Sequence, residues 1–107
     1  MNNQSKQIVI DALIKAINAA PTLYFQRNYM YPTVNQNVDV SMQEFNTWMD
    51  YANQILDISY NHIGLNAILS TKMAMCQIAS QYEISNIQRI DQIKQELIKL
   101  TQIIVKY

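Results

Sequence analysis

Only three residues in this chain readily break a helix, Pro21, Pro32 and Gly64, and none falls among the 43 residues from Leu65 to Tyr107. Proline in a helix interior costs about 3 kcal/mol and glycine about 1 kcal/mol relative to alanine, so their scarcity decides the fold class before any other pattern is read. A 107-residue chain so poor in breakers is committed to long helices. At this length one core is expected, so the prediction is an all-α fold: a single helical-bundle domain of three to four helices.

In the first segment Ile10, Leu13, Ile14, Ile17 and Ala20 recur at steps of three and four, while Gln7, Asp11, Lys15 and Asn18 fall on the opposite side. That spacing predicts a helix over about 5–20, with Ser5 as N-cap and Asp11–Lys15 as an i,i+4 ion pair. Pro21 disfavours helical backbone in the residue before it and closes the helix. Residues 21–40 then show no helical period, hold both prolines, and read as an extended or turn-rich connection. This is a long, aromatic-rich loop between the first two helices, and loops of that length usually carry a function.

Ser41-Met42-Gln43-Glu44 has the form of a capping box, in which the serine hydroxyl and the glutamate carboxylate each satisfy a backbone N–H of the other. After it Met42, Phe45, Met49, Ala52, Leu56, Ser59 and Ile63 step by three and four, with Trp48 and Ile55 widening the stripe. A second helix over about 41–61 follows, and Gly64 can end it by adopting the left-handed conformation. Leu65, Ile68, Leu69, Met73, Cys76, Ile78, Ala79 and Tyr82 are apolar around most of a helical circumference, which predicts a central, buried third helix over about 65–82. Ser85-Asn86-Ile87-Gln88 is a weaker capping box, placing a turn at 82–85 and a fourth helix over about 85–106. There Ile90, Ile93, Leu97, Leu100, Ile104 and Tyr107 hold heptad spacing, suited to packing within the bundle or against a second copy.

Charge argues about partners. Eight basic and eight acidic side chains cancel, and charged residues are only 15% of the chain. The first fifteen residues carry one net positive charge, 16–71 three net negative, and 72–107 two net positive. No whole-molecule field is available to draw nucleic acid or anionic lipid, and near-neutral molecules tend to self-associate. No apolar run approaches the roughly 20 residues a membrane span needs. No secretion signal is legible at Met1-Asn2-Asn3-Gln4, and the one cysteine, Cys76, cannot form an intrachain disulfide. A cytoplasmic or other intracellular setting is the expectation, a virion-associated one being the variant.

Chemistry finds little raw material. His62 is the only histidine, and fourteen residues separate it from Cys76, so a nucleophile–base pair is not expected. Structural zinc wants four nitrogen or sulfur ligands, and these two residues are the whole supply. Asp50 and Asp57 lie seven apart on a polar helix face, read as a solvated edge. One glycine cannot build the glycine-rich phosphate cradles of nucleotide sites. No catalytic residue, metal or cofactor is therefore expected.

What stands out is the run Thr22-Leu23-Tyr24-Phe25-Gln26-Arg27-Asn28-Tyr29-Met30-Tyr31, which holds four of the ten aromatic residues. These residues either tuck against the bundle as core or form an interaction arm, since tyrosine and arginine dominate the energetics of protein interfaces. Stacking on single-stranded nucleic acid would also need a basic groove, and Arg27 is the only base between Lys15 and Lys72. The expected contact residues are Tyr24, Phe25, Arg27, Tyr29 and Tyr31. The expected role is a non-catalytic structural or assembly protein, a homo-oligomer of viral or mobile-element type acting by protein–protein contact. The alternative is a monomeric immunity or inhibitor-type protein that neutralises one protein target.

Overall fold

The computed structural model describes residues 3–22, 24–27 and 35–107, with backbone alone at 24–27 and 35–38. The protein is all-α in class, a bundle of four helices: α1 (Asn3–Asn18), α2 (Met42–Ile63), α3 (Asn66–Ala79) and α4 (Asn86–Lys106). Each lies against two neighbours in a ring, α1 with α2, α2 with α3, α3 with α4 and α4 with α1. The short α2–α3 and α3–α4 connections make those helices antiparallel, the up-down-up-down arrangement.

Helix ends follow local chemistry. Ser41 Oγ accepts from Glu44 N at 3.1 Å to start α2. Gly64 closes it with φ 59°, ψ 26° and its N–H on Tyr60 O. The box at Ser85, the weaker of the two on the page of the sequence, closes in both directions: Gln88 N donates to Ser85 Oγ at 3.2 Å, and Ser85 N to Gln88 Oε1 at 2.9 Å. Helices three and four are thus separate, broken at 80–85. Ser5, expected to cap α1, lies inside it, because the helix is already formed at Asn3.

One apolar cluster fills the ring. Phe45, Trp48, Met49, Ala52 and Leu56 of α2 and Ile90, Ile93, Leu97, Leu100 and Ile104 of α4 are buried in it, as their spacing predicts. The α4 heptads pack within the monomer. In the first segment the expected Leu13 and Ala20 are buried and Ile10 and Ile17 are half-buried against the cluster, while Val9 and Ala16 join the buried face and Ile14 is 45% exposed. This face puts the small Ala16 where Trp48 Nε1 donates to the Ala16 carbonyl at 2.9 Å. That bond satisfies a carbonyl in the last turn of α1 that has no helical partner.

The central, buried third helix is not what forms. Only Ile68, Thr71 and Met75 of α3 are buried, while Met73 is 66% exposed, Cys76 is exposed, and Tyr82, beyond the helix end, is 95% exposed. In a four-membered ring every helix occupies a corner, so a single stripe faces inward. Leu69, Met73 and Cys76 are left at the surface, and Ala67, Ile78 and Ala79 are half-buried against the cluster.

Between α1 and α2 the backbone is extended at β1 (Tyr24–Arg27) and β2 (Asn35–Val38), which pair antiparallel with Tyr24 opposite Val38 and Arg27 opposite Asn35. The connection expected as a loop therefore contains a two-stranded ribbon.

Candidate contact surface

The ribbon connects the last turn of α1 to the first turn of α2. Its β2 side is tied down by Asp39 and Val40. Val40 is buried in the core cluster. Asp39 Oδ1 accepts from Val40 N at 2.9 Å and from Ile87 N at 3.0 Å, and Oδ2 accepts from Asn86 N at 3.0 Å. Asn86, itself buried, donates from Nδ2 to Val40 O at 2.7 Å, and its Oδ1 accepts from Arg89 Nη1 at 3.0 Å. A carboxylate at a helix N-terminus is favoured by the exposed N–H groups and the helix dipole, and the first turn of α4 has no acidic residue of its own. On the β1 side Ala20 is buried and Pro21 half-buried.

Beyond these roots, the two strands lie against each other and, among the described elements, against no helix. The molecule measures 58 × 26 × 20 Å with a radius of gyration of 16.3 Å. A compact chain of this size has a radius near 13 Å, and the longest helix, α2, spans roughly 33 Å. Of the expected contact residues, Tyr24, Phe25 and Arg27 are placed on β1 by their backbone. Tyr29 and Tyr31 lie outside the described residues.

Among the shallow depressions along α1, two lie between it and a neighbouring helix. One, of about 420 Å³, sits near the ribbon's root between Ala19 and the first turns of α2, with Trp48 and Tyr51 in its wall. The other, about 280 Å³ and almost wholly apolar, runs between Ile14 and Ile17 of α1 and Ile98 and Val105 of α4. Neither gathers titratable groups at close range.

His62 lies exposed in the last turn of α2, and Cys76 lies exposed on α3, ten residues beyond its start, roughly 15 Å along the helix axis. Asp50 and Asp57 are exposed, and Asp57 forms an ion pair with Lys72 across the α2–α3 edge. Among the described residues the other ion pair is Lys99–Glu96. The expected Asp11–Lys15 pair is not formed; Asp11 Oδ1 accepts from Gln7 Nε2 at 2.8 Å instead. Among the described residues no group of three or more histidine, cysteine, aspartate or glutamate side chains is placed to hold a metal ion, and no helix is long and apolar enough to cross a membrane.

The Asp39–Asn86 joint at the ribbon's root is not legible in the sequence. Its partners stand 47 and 48 residues apart, and no local pattern links them. Comparison of the chain with protein-family models, with curated proteins and with solved structures found no match.

Proposed function

We propose that this chain is a non-catalytic assembly protein, a helical unit that self-associates through the ribbon segment between α1 and α2. One observation carries the reading: the strand bearing Tyr24, Phe25 and Arg27 stands apart from a bundle whose core is filled by its own helices. Segments outside the core contribute little to stability and are available for recognition. Tyrosine, phenylalanine and arginine offer large anchors for a protein surface. Cancelling charge suits contact between copies of one molecule, where a large field would hold them apart. The single cysteine suits a reducing, intracellular setting.

The test is absolute mass in solution, by light scattering over a wide range of concentration, on the intact chain and on a Tyr24→Ser/Tyr29→Ser/Tyr31→Ser variant. An oligomer in the intact chain, lost in a variant of unchanged helical content, is the expected result. A monomer at every concentration overturns self-assembly and leaves a monomeric inhibitor of one protein target as the reading to pursue. A variant that unfolds would show instead that the aromatic residues belong to the core.

A further inference from the structure

We propose that Asp39 is the positioning residue of the ribbon: by capping α4 from outside that helix, it sets the direction in which the ribbon leaves the bundle and couples that direction to the first turn of α4. The first four N–H groups of a helix have no partner within it. In α4 all four are satisfied, and the work is divided evenly. Ser85 N donates to Gln88 Oε1 and Gln88 N to Ser85 Oγ, both within the helix's own first turn. Asn86 N and Ile87 N donate to the two oxygens of Asp39.

Asp39 immediately follows Val38, which pairs with Tyr24. The carboxylate is therefore one residue from the strand whose direction it fixes, and that strand holds β1 in register. Asn86 reinforces the joint from the other side, donating to Val40 O and accepting from Arg89. Since a two-stranded ribbon is marginally stable by itself and this one lies against no helix, its orientation depends on its roots. Linkage makes the coupling reciprocal: whatever holds the ribbon in this orientation strengthens the cap on α4, and loss of the cap frees the ribbon. The inference holds whether the ribbon meets a second copy or a different protein, so it stands or falls separately from self-assembly.

The test uses the full chain with nitroxide labels at the native, exposed Cys76 on α3 and at a Gln36→Cys substitution on β2, diluted with unlabelled protein so that only distances within one molecule are read. Pulsed dipolar spectroscopy should give one narrow distance distribution. Asp39→Ala should lose that narrow peak, and the Asn86 and Ile87 amides should exchange on the order of tenfold faster, the scale set by a lost charge-assisted hydrogen bond. Amides in the middle of α4, such as Leu97, should be unaffected. A folded Asp39→Ala protein with the same narrow distribution, or an intact protein whose distribution is already broad, overturns the proposal. If Asp39→Ala does not fold, Asp39→Asn is read in the same way, and failure of both to fold assigns Asp39 to the bundle itself and overturns its positioning role.

Discussion

The four helices and the ribbon between the first two are built on opposite plans. Every helix buries one stripe in a shared cluster, where Leu13, Leu56, Ile68, Met75, Leu97 and Leu100 are fully enclosed. The ribbon is held by its own ladder and by its roots, and lies against no helix among the described elements. The described apolar core lies in the bundle, so substitutions there should cost more than substitutions in the ribbon. Aliphatic side chains dominate the ring, with Phe45 and Trp48 among them, and Tyr24, Phe25, Tyr29 and Tyr31 cluster in the connecting segment.

Substitutions in the two regions test that contrast. The largest effect should come from Leu97→Ala, which opens a cavity in the middle of α4 and should cost about 2–5 kcal/mol in denaturant unfolding. A cost near zero would mean the cluster is not the seat of stability. Trp48→Phe tests the junction beside the ribbon's root. It keeps most of the apolar contact but leaves the Ala16 carbonyl without its donor, and should cost about 1–3 kcal/mol.

Gly64→Ala addresses the opposite end of the bundle, at the α2–α3 turn. An added Cβ would meet only Tyr60 O at 4.0 Å, so the penalty comes from φ 59° and not from crowding. Thermal unfolding should show a loss of about 1–2 kcal/mol. Asp57→Asn removes the partner of Lys72, but the carboxylate is 61% exposed. Such a pair contributes at most about 1 kcal/mol, and the difference from the intact chain should disappear at high salt.

The smallest effect on stability should come from Tyr24→Ser, within about 0.5 kcal/mol, the usual range for substitutions away from a core, since β1 lies against no helix. Here the informative number is the ratio of effects: a ribbon substitution as costly as Leu97→Ala would erase the distinction between the two regions. In the reverse case, a folded chain that loses only its self-association sharpens it.

The regions also differ in how far they can be read without coordinates. In α2 and α4 the apolar stripe is long, one-sided and bounded by polar residues, so Phe45, Ala52 and Leu56, or Ile90, Leu97 and Ile104, declare their face directly. In α1, Ile10, Ile14 and Ile17 flank Leu13 and look like its companions by hydrophobicity, yet Val9 and Ala16 are the residues buried with it. The smaller residues are the buried ones because Trp48 needs room at Ala16, a demand placed by a residue 32 positions away. In α3 the apolar surplus suggests a central helix, but centrality is a property of the arrangement, and a ring of four has no centre for a helix to fill. Of the contact residues, the aromatic cluster is visible as composition, and only the pairing of Tyr24 with Val38 shows part of it to be a strand.

Legible in the sequence is what is local: that the chain is helical, where α2 and α4 start, and where α2 stops. Helix propensity, the capping serines at 41 and 85, and the left-handed Gly64 act over at most a turn or so of chain, so they can be read from neighbouring letters. The rest depends on the tertiary structure: that Val9 and Ala16 join Leu13 in the core while Ile14 stays out, that α3 takes a corner, and that Asp39 caps a helix beginning 47 residues later. Such choices are set by the shapes and unpaired groups that distant segments present to one another, and they exist only once those segments have met.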